Sequence, residues 1–257
     1  VGRQWSPEAI GLLYSALSLL SPEEVARLEG VPFHRAVAPS KALKRRVVPA
    51  GGKFSILEAV YSENANEQGG QIFVFDSALK ITGRFSGEPE DPKPASLLTL
   101  LHEMGHALAR QPVRDLIAKH TTLYEEFESN RQAYNALLDR RNQVYNTHRD
   151  NPSDKVIATV KKMDDSLTEM NHTLEKAQSD LVSIKALNQA YNQGTPAARA
   201  LIKVMGKLKR APTIYGRTGP EEAFAECFAL YHLDPRALKR SVPEVYDWFK
   251  RGEHLRA

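Results

Sequence analysis

The sequence contains a single cysteine, Cys227, among its 257 residues. One cysteine excludes an intrachain disulfide framework and every metal site that needs several thiolates. A metal ion bound by this chain must therefore be held by histidine and carboxylate side chains. Because Cys227 has no histidine or lysine beside it in the sequence, we expect a buried, unreactive thiol rather than a nucleophile.

Long apolar runs are also absent. No uncharged apolar stretch approaches the roughly 20 residues that cross a bilayer, and the early run IGLLYSALSLL at 10–20 is too short. We therefore expect a soluble protein with no membrane span.

The excess of positive charge is small, with 35 Lys and Arg against 31 Asp and Glu. Basic clusters occur at 41–46 and 206–210, and a solvated surface explains them better than phosphate binding does. The segment 113–192 mixes acids with bases instead of presenting one basic stripe. Nucleic acid is therefore not an expected partner.

The first hundred residues predict two capped helices, two strands and a third helix. Ser-Pro-Glu begins at Ser6 and again at Ser21, and each copy supplies a capping hydroxyl, a first-turn proline and an early acid. The runs 53–61 and 71–78 have strand composition, and the polar segment between them indicates a hairpin or a pair of neighbouring strands. From about Ser96, in ASLLTLLHEMGHALAR, apolar residues recur at helical spacing.

The segment 113–192 has a different pattern. Apolar residues of its second half alternate steps of three and four, as in the seam of a coiled coil. These residues are Val160, Met163, Leu167, Met170, Leu174, Ala177, Leu181 and Ile184. A less regular series in the first half comprises Leu116, Leu123, Phe127, Tyr134, Leu137 and Val144. With RDNPSD at 149–154 as a turn, the pattern predicts an antiparallel helical hairpin with arms about 50 Å long.

A metal-binding motif lies on the third predicted helix. The residues 102–106 read His-Glu-Met-Gly-His and match H-E-x-x-H. Residues four apart share one helix face, so the imidazoles of His102 and His106 can reach one ion, while Glu103 is offset towards a bound water. A catalytic zinc site needs a third protein ligand and one open position.

The third ligand has three candidates on the late helix predicted from EEAFAECFALYHL. Glu222 and Glu226 are one turn apart, so that if Glu222 binds the metal, Glu226 can accept a hydrogen bond from the far nitrogen of a ligand imidazole. The spacing alone leaves Glu221 and Glu226 open as alternative ligands.

The segments HEMGHA and YGRTGPEEAFAECFALY together resemble the gluzincin metallopeptidases of the anthrax lethal factor type, which include the Pro-Pro endopeptidases. In that family a tyrosine precedes the ligand glutamate by seven residues and a second glutamate follows it by four, as Tyr215, Glu222 and Glu226 do here. The resemblance implies Glu222 as the third ligand. The chain departs from the family in the long interval between His106 and Glu222, which contains the predicted hairpin, and in Gly219-Pro220 before the ligand.

We therefore expect an α+β fold, namely a zincin-like metallopeptidase domain that is mostly helical with a small sheet. Its N-terminal part is 1–112 and its C-terminal part is 193–257, and the hairpin 113–192 is inserted between them. By resemblance, the strand Gln71, Ile72, Phe73 and Val74 lies at the edge of the sheet and binds the substrate as an added strand. A simple core strand without contact to substrate is an equally good interpretation of this run.

The activity implied is that of a zinc-dependent endopeptidase with one Zn²⁺ per chain and a protein or peptide as substrate. Glu103 acts as general base towards the zinc-bound water, and Tyr215 donates a hydrogen bond to the negative charge that develops on the carbonyl oxygen. The resemblance further implies a bacterial toxin or effector, secreted or delivered into a target cell.

The alternative is a coiled-coil interaction module, in which the hairpin binds a protein partner and the zinc site is structural or inactive. A structural zinc site is normally closed by four protein ligands, whereas this sequence offers three and a base. The endopeptidase is therefore the preferred hypothesis.

Overall fold

The computed structural model describes residues 3–38, 59–62, 70–79 and 95–257. The chain divides into two compact units, of which the first contains 1–115 with 191–257 and the second contains 116–190. The prediction of an α+β protein that is mostly helical with a small sheet is confirmed. In the described part of the chain, no helix combines the length and the apolar character needed to span a membrane.

The helices and strands follow one another in this order: α1 (Pro7–Leu17), α2 (Pro22–Arg27), β1 (Phe33–Ala36), β2 (Ala59–Ser62), β3 (Gln71–Phe75), α3 (Asp76–Leu79), α4 (Ala95–Ala109), α5 (Gln111–Thr147), α6 (Asp154–Tyr191), α7 (Pro196–Met205), α8 (Pro220–Leu233), α9 (Pro235–Ser241) and α10 (Pro243–Lys250). Short 3₁₀ turns lie at Leu208–Arg210, Tyr215–Thr218 and Glu253–Leu255.

The first two helices begin where their capping signals predict. The Ser6 hydroxyl accepts the backbone N–H of Ala9 at 3.3 Å. Ser21 and Glu24 form a reciprocal capping box, in which the Ser21 N–H donates to Glu24 Oε2 at 2.7 Å. Both arrangements satisfy backbone donors that a helix start leaves unpaired.

The three described strands form one sheet in the order β1-β3-β2, with β1 parallel and β2 antiparallel to β3. The prediction that 53–61 and 71–78 are neighbouring strands is confirmed for 59–61 and 71–75, while 53–58 lies outside the described residues. The second run ends earlier than predicted, because Asp76 starts a helical turn and binds the guanidinium groups of Arg3 and Arg35. β1 has no counterpart among the predicted strands, since four residues are too few to show a strand pattern.

The prediction that Gln71, Ile72, Phe73 and Val74 form a substrate-binding edge strand is wrong. They belong to β3, the central strand, where Ile72 pairs with Phe33 on one side and with Tyr61 on the other. A strand paired on both sides has no free row of N–H and C=O groups for a peptide. The run QIFVF is apolar because this strand lies in the core, where Ile72 and Val74 are fully buried.

The centre of the first unit is the contact between α4 and α8. A Cβ atom placed on Gly105 would lie 3.0 Å from Ala225 Cα and 3.1 Å from Phe228 Cδ1, so a glycine in the motif lets the two helices approach closely. Cys227 on α8 is buried, and burial raises the pKa of its thiol, in agreement with the expected inert role.

A buried carboxylate connects the start of this unit to its end. Glu24 Oε1 lies 3.1 Å from His232 Nε2 and 2.8 Å from His254 Nε2, and the other ring nitrogen of His232 lies 3.0 Å from the carbonyl oxygen of Leu19. Burial alone would raise the pKa of Glu24, but the hydrogen bonds from the two histidines outweigh it and hold the pKa well below its usual value. The carboxylate is therefore ionised in the folded protein.

We expect Glu24→Ala to destabilise the protein by about 3 kcal/mol, since it leaves two buried imidazoles without their acceptor. The depressed pKa means that this contribution is complete above the unfolded-state pKa of about 4.3 and is lost as the pH falls further. Urea unfolding at neutral and at acidic pH measures both effects. Glu23→Ala, one residue away and exposed, is the control and should be nearly neutral; equal effects of the two changes would contradict the prediction.

The second unit consists of the parts of α5 and α6 within 116–190. The seam positions named from the sequence are all half-buried or buried, with Leu167 and Ile184 buried most completely. Near the connecting turn, the guanidinium of Arg141 on α5 binds the carboxylate of Asp164 on α6, with Nε 2.8 Å from Oδ1. Arg141 precedes the turn at 148–153 and Asp164 follows it. Since the two side chains meet, the two helices run antiparallel there.

Candidate metal centre

Three side chains from two helices converge at one point. His102 and His106 are one turn apart on α4, and their Nε2 atoms lie 3.0 Å from each other. Each of these atoms lies 3.2 Å from the same oxygen, Glu222 Oε2. Glu222 reaches them from the first turn of α8, which begins at Pro220 after the extended residue Gly219.

The arrangement fits a metal ion with nitrogen and oxygen ligands. Ligand atoms around a tetrahedral zinc with bonds of 2.0–2.1 Å are about 3.3–3.4 Å apart, so the observed spacings need to open by only a few tenths of an ångström. Among the described residues, this is the only group of three His, Cys, Asp or Glu side chains whose ligand atoms all lie within 4.8 Å of one another.

The alternative ligands left open by the sequence are occupied elsewhere. Glu221 Oε1 accepts the backbone N–H of Thr195 at 2.6 Å, and Thr195 is the residue whose side chain caps the start of α7. Glu226 lies on the opposite side of the imidazole, with its Oε1 2.8 Å from His102 Nδ1. The two atoms are close enough for an ion pair, but their angle does not meet the geometry of a hydrogen bond, so His102 Nδ1 has no hydrogen-bond partner by that criterion.

Glu103 is placed beside the cluster but is not one of the three converging groups. Its side chain is buried, and its Oε2 accepts the backbone N–H of Tyr61 on β2 at 2.5 Å. Tyr61 is not among the predicted site residues, because no sequence signal marks a residue that acts through its backbone N–H. A buried carboxylate held by a backbone donor has a defined position next to the ligands.

The histidines and carboxylates of this cluster shift one another's pKa values. Burial alone would lower the pKa of His102, but the carboxylates of Glu222 and Glu226 outweigh burial and raise that pKa to about 10. Burial alone would raise the pKa of Glu222, yet His102 and His106 hold it well below its usual value. Mutually shifted pKa values in one partly buried cluster are typical of functional sites.

Tyr215 lies beside this cluster, on the 3₁₀ turn Tyr215–Thr218. Its ring centroid is 5.7 Å from that of His102, and the residue is 54% exposed. Desolvation of the phenol and the carboxylates of Glu222 and Glu103 raise the pKa of Tyr215 well above its usual value. The hydroxyl therefore keeps its proton at neutral pH and remains a hydrogen-bond donor.

The structure thus places five of the predicted site residues together, namely His102, Glu103, His106, Tyr215 and Glu222, with Glu226 behind His102. The residues Gln71–Val74 take no part in these contacts, because they belong to the central strand. Comparison with protein-family models, with curated proteins and with solved structures finds no match.

Proposed function

We propose that the protein is a zinc-dependent endopeptidase with a zincin-like fold, interrupted by the α5–α6 hairpin. The observation that supports it most is the convergence of two histidine Nε2 atoms and one Glu222 oxygen beside a buried Glu103 that is not itself a ligand. A structural site would need a fourth protein ligand and would have no use for such a base.

The proposed roles follow from position. Zinc, when bound, lowers the pKa of a coordinated water from 15.7 towards about 7. Glu103, held in place by the Tyr61 N–H, would take a proton from the attacking water as its oxygen adds to the peptide carbonyl carbon. It would then deliver that proton to the amine nitrogen as the C–N bond breaks. The protonated hydroxyl of Tyr215 donates to the developing oxyanion, a contribution that elsewhere amounts to about 3 kcal/mol.

The proposed substrate is a protein or peptide in extended conformation. It cannot pair with β3, which has a strand on each side, whereas β2 lies next to Glu103 and carries the Tyr61 N–H that orients it. We therefore propose that the extended substrate lies along the β2 side of the sheet. Action as a toxin or effector on a host or competitor protein stays a prediction from the sequence resemblance.

Elemental analysis and a peptide-library digest test the proposal. Purified protein should contain about one zinc per chain, and mass spectrometry should detect new peptide termini that vanish on chelation and return with added zinc. Absence of zinc even after supplementation would contradict the proposal. Stoichiometric zinc without any cleavage in libraries or denatured proteomes would favour an interaction protein with a structural or inactive site.

Glu226→Gln should weaken zinc binding about 10- to 100-fold, the usual effect of removing a carboxylate that supports a ligand imidazole. Competition with a chromogenic chelator measures the affinity. Glu221→Gln is the matched control, because Glu221 lies on the same helix but binds the backbone N–H of Thr195; it should leave zinc affinity unchanged. Equal affinities in all three proteins would show that Glu226 does not support His102.

A further inference from the structure

A pocket of about 280 Å³ lies in the second unit, where α5 turns into α6. Tyr145, Ile157 and Val160 supply its apolar wall, and Arg149 and Lys161 lie among its lining residues. Its volume is just below the range of pockets for small-molecule ligands, about 300–1,000 Å³. A space of this size accommodates one large side chain and part of its neighbour.

Two residues of the apolar wall, Tyr145 and Ile157, are not needed by the hairpin's own core. The seam residues at this end, Val144 and Val160, are half-buried, whereas Tyr145 is 48% and Ile157 53% exposed. Both lie outside the seam, so that packing of α5 on α6 leaves them in water. Exposed apolar groups clustered around a concavity are typical of interaction sites.

The aromatic part of the wall is held in place. The Arg141 guanidinium makes two contacts with the Asp164 carboxylate, Nε to Oδ1 at 2.8 Å and Nη2 to Oδ2 at 3.2 Å. Its central carbon lies 5.2 Å from the centroid of the Tyr145 ring. A fixed aromatic side chain loses little conformational entropy when a partner binds.

The charge of the pocket is positive. Asp164 is the one acid among the lining residues, and Arg141 neutralises it. Arg149 and Lys161 form no ion pair with another described residue, and the two acids of the turn, Asp150 and Asp154, do not line the pocket. Two cations that pair with no acid in the described part of the chain, beside an apolar wall, match a ligand that carries carboxylates next to an apolar side chain.

We propose that this pocket docks an acidic segment of a partner protein. An aliphatic or aromatic side chain of the segment fills the space between Tyr145 and Ile157, and its flanking carboxylates pair with Arg149 and Lys161. The inference rests on the second unit alone and does not depend on the metal centre.

Selection from a phage-displayed library of random 12-residue peptides tests the docking site. The bait is the full chain carrying Glu103→Ala, so that displayed peptides are not cut. Enriched peptides should share an aliphatic or aromatic residue flanked by Asp or Glu. A synthetic peptide of the enriched sequence should bind less tightly as salt is raised, because screening weakens charge pairing.

Variants of the full chain locate the binding. Ile157→Asp, Tyr145→Ala and Arg149→Glu should each weaken the peptide about tenfold or more, the effect of losing a central contact of an interface. Val182→Asp is the matched control, since Val182 is 63% exposed on α6 and lies outside the pocket; it should bind normally. Circular dichroism of all four variants checks that the helices are intact.

Several results would overturn the proposal. One is the absence of enriched peptides, and another is equal binding to the Ile157→Asp and Val182→Asp proteins. Dimerisation that Ile157→Asp abolishes, measured by sedimentation, would assign the pocket to a second copy of the chain. Binding to vesicles containing anionic lipid that Arg149→Glu abolishes, without peptide binding, would assign it to a membrane surface.

Discussion

Glu103→Ala should abolish peptide hydrolysis while the protein keeps about one zinc per chain. The three groups of the proposed metal site are unchanged by this substitution, but the carboxylate proposed to accept the proton of the attacking water is lost. General-base catalysis contributes about 10²- to 10⁴-fold to a rate, so turnover should fall by at least that range. Elemental analysis and cleavage of a peptide identified in the library digest measure the two quantities together.

Glu103→Gln is the matched variant for this experiment. An amide oxygen can still accept the Tyr61 N–H, so the side chain keeps its place beside the ligands, yet it cannot take up a proton. We expect it to be as inactive as Glu103→Ala. Normal activity in a clean preparation of either variant would rule out Glu103 as the base.

Glu222→Ala should lose most of the metal. Removing this side chain leaves two imidazoles as the only converging groups, and zinc bound by two histidines is held far less tightly than by three protein ligands. We expect a loss of affinity of more than about 100-fold, beyond the range for a residue that only supports a ligand. Chelator competition and zinc content after dialysis measure it.

Glu221→Ala separates this effect from a general disturbance of α8. Glu221 lies in the same turn and binds Thr195, so its loss should lower the stability of the fold without lowering zinc affinity. Wild-type zinc content in Glu222→Ala would instead mean that another group, such as Glu226, completes the site.

Much of the local structure could be predicted because short-range interactions decide it. The Ser-Pro-Glu caps start α1 and α2, and the steps of three and four from Val160 to Ile184 correspond to buried or half-buried positions on α6. The H-E-x-x-H spacing likewise places both imidazoles on one face of α4. Each of these features needs only residues within a few helical turns.

Strand order was not predictable in the same way. An apolar run such as QIFVF is compatible with a central or an edge strand, and the difference depends on which segments pair with it. β1, from residues 33–36, occupies the second side of β3. The edge-strand hypothesis failed because no local pattern reports that long-range pairing.

The sequence by itself determined the helices, the seam and the chemistry that a His-Glu-x-x-His segment can support. Only the tertiary structure decided that Glu222 faces both Nε2 atoms while Glu221 turns to Thr195, that the Tyr61 N–H orients Glu103, and that Glu24 joins His232 to His254. The physical reason is distance along the chain: these groups are separated by 26 to 230 residues. Only the packing of helices and strands that are far apart in the sequence brings them within hydrogen-bonding reach.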